Sequence, residues 1–228
     1  EIGSYQFYDF DALNQVIIGN KVTSIGQAAF GWCSNLKSIS IGENVQYLGT
    51  FAFDQCFNLE NIYFNAIHLD VVDGNPASPF KYCGRDTNGI TLRIGENVEY
   101  LPKSLFSSWG PIKESAPKIT KVIIPMTSKL KDVDSYCFKD SIYIYEMLLP
   151  NSVENIYANA FTDCAVNIIY YCGDENSWNQ INISGGNDTL LNATIYFYSS
   201  TSPTESGNYW YYDESAAESH VDRSIKDP

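Results

Sequence analysis

Histidine is nearly missing from this chain. Only His68 and His220 occur, and methionine is as scarce, at 2 residues. Two isolated imidazoles leave little room for histidine-based metal binding or acid–base chemistry. His220 lies in a polar stretch, and His68-Leu69-Asp70, with Asp73 nearby, reads as a solvated loop. Charge is thin at 18% and one-sided: 14 Lys and Arg stand against 27 Asp and Glu, for a net −13 and a pI near 4.4. That sign repels phosphates and anionic headgroups, so neither nucleic acid nor a membrane surface is an expected partner. No apolar run reaches the roughly 18 residues that cross a bilayer, and the stretch from Ile142 to Pro150 is broken by Glu146. No signal-peptide pattern is present. The chain opens at Glu1 inside a patterned region and reads as a mature protein or a fragment of a longer one.

Several chemical motifs are absent as well. No cysteine pair has C-x-x-C spacing, which removes the usual zinc and redox signatures. There is no phosphate-binding G-x-x-x-x-G-K-[ST] loop and no G-x-S-x-G nucleophile elbow. Asp132-x-Asp134, Gly173-Asp174-Glu175-Asn176 and Gly185-Gly186-Asn187-Asp188 carry oxygens. They lack the alternate ligands and closing Glu of a calcium loop and read as turns. Asn182, Asn187 and Asn192 each begin an N-x-[ST] triplet, an acceptor only in a eukaryotic secretory setting. No catalytic residue, metal or cofactor is expected.

What the chain has is a repeat. Placing residues 22–44 on 45–67 aligns Val22 with Val45, Ile25 with Leu48 and Gly26 with Gly49. Ala29-Phe30 then meets Ala52-Phe53, and Cys33, Asn35 and Leu36 meet Cys56, Asn58 and Leu59. The phrase Ile41-Gly42-Glu43-Asn44-Val45 returns as Ile94-Gly95-Glu96-Asn97-Val98, with Tyr-Leu following in both copies. The marker phenylalanines are Phe7, Phe30, Phe53, Phe80, Phe106, Phe138 and Phe161, spaced by 23, 23, 27, 26, 32 and 23 residues. Half of each period alternates, as in Leu36-x-x-Ile39-x-Ile41, which is a strand with one buried face. The other half, Val-x-x-Ile-Gly-x-x-Ala-Phe-x-x-Cys, spaces its apolar residues by about three and suits a turn or short 3₁₀ segment. Neither half can bury its apolar side alone, so successive periods must stack. The expected fold is an α/β-type, β-dominated repeat solenoid: a right-handed leucine-rich-repeat superhelix with a parallel sheet of short strands on one face and turns or 3₁₀ helices on the other. About seven coils fill residues 1–198, and 199–228 form a polar and aromatic C-terminal tail, extended and least ordered over 213–228. Gly89 stands where the fourth coil should have Leu.

Cys33, Cys56, Cys83 and Cys164 all fall three residues after the marker Phe, and Cys137 takes the small-residue slot of Ala29 and Ala52. They are expected as buried packing residues, although a Cys33–Cys56 disulfide stays within reach of adjacent coils. Cys172, outside the slot, is the expected exposed thiol.

These residues resemble the BspA-type leucine-rich repeats of bacterial surface proteins, most fully at 25–42 and 48–65, with the likeness running over about 5–198. Tyr170-Tyr171-Cys172-Gly173, Trp178-Asn179-Gln180-Ile181 and Leu191–Tyr196 resemble the final coil of such arrays in gut bacteria. The resemblance implies an extracellular or cell-surface protein, no catalysis, and adhesion to a host or microbial macromolecule, such as a matrix protein, a plasma protein or a glycan. A stalk or spacer without a ligand is the alternative. An unrecognised carboxylate pair of a hydrolase would need two acids converging in a cleft. The outward residue of each strand forms the column Ile17, Ser40, Tyr63, Arg93, Ile123, Leu148, Tyr170 and Tyr196. Tyr63, Arg93, Ile123, Leu148, Tyr170 and Tyr196 are the candidate binding residues. The apolar stretch from Ile123 onward is either an open stripe or is covered by the 126–146 insertion or by the aromatic residues 208–212.

Overall fold

The alternating segments do form strands. Ser38–Ile41 buries Ile39 and Ile41 and leaves Ser38 and Ser40 half-buried. The equivalent strands are Gln15–Ile17, Asn61–Phe64, Ile90–Ile94, Ile119–Ile123, Glu146–Leu149, Ile168–Tyr171 and Thr194–Tyr198. In the computed structural model, which describes residues 1–69, 71–72, 78–108, 110–201 and 207–211, every pairing is parallel and follows the order of the sequence. Val16 lies in register with Ile39, Ile39 with Ile62, Ile62 with Leu92 and Leu92 with Val122. A second section pairs Met147 with Ile169 and Ile169 with Ile195. The two sections abut at the coil carrying the longest insertion.

The opposite half of the period is not helical. The three-residue apolar spacing is met instead by a triangular coil whose other walls are hydrogen-bonded too. Two-residue parallel strands, Ser24–Ile25, Tyr47–Leu48 and Val71–Val72, make one short ladder. Tyr100–Leu101, Asp132–Val133, Asn155–Ile156 and Asn182–Ile183 make another. The marker phenylalanines then sit on turns. The residues two before and two after Phe adopt the left-handed region, for example Ala28 (φ 47) and Trp32 (φ 60), or Phe51 (φ 60) and Gln55 (φ 61). Such a conformation costs a non-glycine residue about 1–2 kcal/mol. It is held because every second N–H then points at the next coil: Ala28 N donates to Thr50 O, Phe30 N to Ala52 O and Trp32 N to Asp54 O. Among the described residues the one 3₁₀ segment is Lys113–Ser115, and the only α-helices are single turns at Glu175–Trp178 and Asp188–Leu191.

Inside the coil the rings of Phe7, Phe30, Phe53, Phe80, Phe106, Phe138 and Phe161 stack in sequence order. Their centroids are 5.1, 5.3, 5.2, 5.5, 5.6 and 5.4 Å apart, within the range of offset stacking. Asparagines tie the turns across coils: Asn58 Nδ2 donates to Ser34 O at 2.8 Å and Asn44 Nδ2 to Asn20 O at 2.8 Å. The irregular fourth coil has a local cause. Ile90, not residue 89, fills the leucine slot and pairs with Ile119, while a register shift leaves Thr120 as an extra residue on the neighbouring strand. Gly89 bends the entry at φ +138, where a β-carbon would collide with Thr120.

The spine needs an end. Phe138 N still finds Ala160 O on the next coil, but Phe161 N donates to the side-chain Oδ1 of Asn187 at 3.0 Å. Asn187 is fully buried, and its Nδ2 donates to Tyr157 O at 2.9 Å and Ser184 O at 2.8 Å. One side chain thus replaces the backbone of an absent eighth rung. Beyond it, Tyr209–Trp210 pairs with Thr194–Tyr198, so part of the segment expected as tail is the last strand of the sheet. Residues 213–228, with His220, lie outside the described residues.

Candidate functional site

The outward column is open in its N-terminal half. Ile17 is 70% exposed and Tyr63 39%, while Ser40, Arg93 and Ile123 are half-buried. Arg93 is held in place: its Nη1 donates to Asn61 Oδ1 at 2.9 Å, and its guanidinium lies 5.1 Å from the centre of the Tyr63 ring. The C-terminal half is the covered alternative. Leu148 and Tyr170, two of the candidate binding residues, are only 7% and 8% exposed. Tyr170 stacks on the half-buried Tyr196 at 5.6 Å and meets the edge of Trp210 at 6.1 Å. Trp210 is itself fully buried, with Nε1 donating to Tyr171 O at 2.8 Å. The strand Tyr209–Trp210 therefore folds its indole over this end of the face, and Leu148 lies in register beside the covered Tyr170. Of the two expectations for this stripe, the structure realises the covered one, with the cover, Trp210, coming from the aromatic stretch 208–212 and not from the 126–146 insertion over Tyr170.

Beside the open half, between the third and fourth coils, lies a cleft of about 590 Å³. Asn58, Glu60 and Asn61 line it from the third coil, and Asp86, Thr87, Asn88, Gly89 and Thr91 from the fourth. The 84–89 insertion forms one wall, tied to the third coil by Gly84 N to Cys56 O and Asp86 N to Phe57 O, before Ile90 rejoins the sheet. Three cations of the chain are engaged at its margin. Arg85 Nε pairs with Asp86 Oδ1 at 3.2 Å, Arg93 holds Asn61, and Lys118 Nζ donates to Thr87 O at 2.6 Å. Sequence reading singled out the insertion but not this cleft.

The thiols behave as packing groups. Cys33 Sγ donates to Phe7 O at 3.1 Å, Cys56 to Phe30 O at 3.3 Å, Cys83 to Phe53 O at 2.9 Å and Cys164 to Phe138 O at 2.7 Å. None of the six cysteines is joined in a disulfide. Burial pushes the Cys33 thiol up to about 11 and Cys164 up to about 12, and raises Cys56 and Cys137 well above the ordinary range. A protonated thiol is a poor nucleophile and a poor metal ligand. With iodoacetamide at pH 8.5, we expect the half-buried Cys172 to be modified first: Cys164 is also half-buried, but its thiol is held protonated and donates to Phe138 O. Cys33, Cys56, Cys83, Cys137 and Cys164 should stay unmodified until denaturant is added, as read by peptide mass spectrometry. Native modification of Cys56 as fast as Cys172 would refute the packing role.

Among the described residues, no group of three or more His, Cys, Asp or Glu side chains is placed to hold a metal ion. His68 is exposed, and Asp70 and Asp73 lie outside the described residues. The three oxygen-bearing segments do structural work, and Asp132-x-Asp134, expected as a turn, begins on the strand Asp132–Val133: Asp174 Oδ1 accepts from Ser177 N at 2.8 Å at a helix start, Asp132 Oδ1 accepts from Asn155 Nδ2 at 2.7 Å, and Asn187 ends the spine. No helix among the described residues is long and apolar enough to cross a membrane.

A family model described as the BspA type leucine-rich repeat region, in six copies, matches residues 1–116 and 113–184. Similar solved structures include a leucine-rich repeat protein from Eubacterium ventriosum, 19% identical over 67% of this chain and 43% of that one, with a TM-score of 0.45. A leucine-rich repeat protein from Bacteroides ovatus is 15% identical over 88% of this chain and 55% of its own, with a TM-score of 0.46. A leucine-rich cell surface protein from Faecalibacterium prausnitzii is 20% identical over 74% and 42%, with a TM-score of 0.41. The chain therefore spans about half the length of these structures. No curated protein matches the sequence.

Proposed function

The chain belongs to the BspA-type leucine-rich repeat proteins, and on that premise we propose that it is a non-catalytic binding module, secreted or displayed on a bacterial cell surface, that adheres to an extracellular protein. Residues 1–198 are the presented solenoid, closed by the strand Tyr209–Trp210, and the rest of 199–228 is a C-terminal extension. The observation that carries the reading is the open half of the strand face: Ile17 at 70% exposure and Tyr63 at 39%, with Arg93 fixed between Asn61 and the Tyr63 ring. Exposed aromatic and arginine side chains on a rigid sheet are the usual anchors of protein interfaces, because little side-chain freedom remains to be lost on binding. Ile123 extends the same face. Leu148, Tyr170 and Tyr196 support the last coil in this reading and do not touch the partner.

The spacer reading draws on the covered C-terminal half of the column, which leaves that end without an open apolar patch. Binding to immobilised matrix and plasma proteins by surface plasmon resonance separates the two. We expect at least one to bind, and an Ile17→Glu/Tyr63→Ser variant to bind it about tenfold or more weakly with an unchanged melting curve. No binding across the panel, or equal binding by the variant, would leave the spacer.

A further inference from the structure

We propose that the cleft between the third and fourth coils binds a neutral saccharide through its hydroxyl groups. This goes beyond the protein-binding face, with which it shares only Tyr63 and the Arg93 rim, and rests mainly on other residues. The volume of about 590 Å³ lies within the roughly 300–1,000 Å³ of small-molecule sites. The walls are polar almost throughout, unlike the apolar pockets that take most organic ligands. A sugar hydroxyl gives one hydrogen bond and accepts two, so it needs donors and acceptors interleaved. The cleft supplies them. Asn58 has its Nδ2 on Ser34 O and keeps Oδ1 as an acceptor. Asn61 has its Oδ1 on Arg93 and keeps its NH₂ as a donor. Asn88 offers both, Thr91 a hydroxyl, and Glu60 a carboxylate.

Charge narrows the ligand. At the rim the carboxylates of Glu60 and Asp86 are close to balanced by Arg85, Arg93 and Lys118, which already hold Asp86, Asn61 and Thr87 O, so neither a strongly anionic nor a strongly cationic ligand gains from the local charge. A neutral polyol needs no such gain. Tyr63 lies two residues beyond Asn61 on the same strand, hence on the same face, and remains 39% exposed. Its ring gives the apolar face of a pyranose a surface beside the polar walls. Gly89 lines the floor without a side chain, at a backbone angle that other residues adopt only with strain.

The test is saturation-transfer NMR on the full chain with lactose, maltotriose, mannobiose, N,N′-diacetylchitobiose and 3′-sialyllactose. Transfer to at least one of the four neutral sugars is expected. For that sugar, a Glu60→Gln/Asn88→Ala variant should bind about tenfold more weakly; both side chains are exposed, so the far-ultraviolet circular dichroism should not change. An Asp86→Asn variant, read in parallel, should also weaken it. No transfer to any neutral sugar, transfer that survives these changes, or 3′-sialyllactose bound as well as lactose would overturn the proposal. The double variant leaves Ile17, Tyr63 and Arg93 intact, so loss of sugar binding with retained protein binding tells the two sites apart.

Discussion

Phe53→Ala is expected to lower the free energy of unfolding by about 3–5 kcal/mol, the cost of emptying a fully packed aromatic site. Phe53 is 0% exposed and sits between Phe30 and Phe80, with ring centroids 5.3 and 5.2 Å away. Removing it forfeits its own burial and one stacking partner for each neighbour, about 0.5–1.5 kcal/mol per ring pair. The surrounding backbone cannot collapse into the space, because hydrogen-bonded walls hold the coil spacing on three sides. Phe7 is the control. It is half-buried and stacks on one side only, so Phe7→Ala should cost about half as much or less. Urea unfolding of both variants reads the difference. In a solenoid the loss should be confined mainly to adjacent coils, so the Phe53 variant should broaden or split the transition. Equal losses at Phe7 and Phe53 would mean that the rings do not share one spine.

Asn187→Leu comes next in size. Leucine fills a similar volume but strands Phe161 N, Tyr157 O and Ser184 O, the three groups that Asn187 satisfies. A buried group left without its partner costs about 1–3 kcal/mol, so a total of about 3 kcal/mol or more is expected, localised in the last coil. Amide exchange measures it: Phe161 and Asn159 should exchange faster while Phe30 is unaffected. Asn187→Asp keeps an acceptor for Phe161 N but turns a fully buried carboxylate toward Tyr157 O and Ser184 O, and at neutral pH should cost at least as much as leucine. Uniform acceleration along the chain, or none at Phe161, would remove Asn187 from its role as terminator. The same burial means that the triplet at 187–189 is not a modification site in the folded chain, whereas Asn182 and Asn192 are exposed.

How much of this was legible beforehand depends on how local the signal is. The phenylalanine spine and the parallel strand face were readable, because each coil repeats the same apolar slots and only stacking can bury them. The cysteine slot was readable for the same reason. The left-handed turns were not: Ala28, Trp32, Phe51, Gln55 and Tyr82 carry none of the glycine that usually marks φ > 0. Their conformation is imposed by hydrogen bonds to the next coil. Nor does a two-residue strand such as Tyr47–Leu48 leave an alternation to detect. The fourth coil misled because Ile90 takes the leucine slot one residue late, past a bulge on its neighbour. At the candidate site, Tyr63 and Arg93 were found by alternation, and both lie on the open face. For Leu148 and Tyr170 alternation fixed the direction but left two outcomes, open or covered, because the cover, Trp210, comes from a distant segment. The cleft escaped notice because its two walls are about 30 residues apart and meet only when coils stack.

The central claim is that successive coils shield one another through a single column of rings. Nuclear Overhauser contacts in a sample labelled only at the phenylalanine rings test it most directly. The account predicts ring-to-ring contacts from Phe7 to Phe30, on to Phe53, Phe80, Phe106, Phe138 and Phe161, each ring touching the one before and the one after. A chain of contacts that skips a coil, or rings that touch no other marker ring, would contradict it.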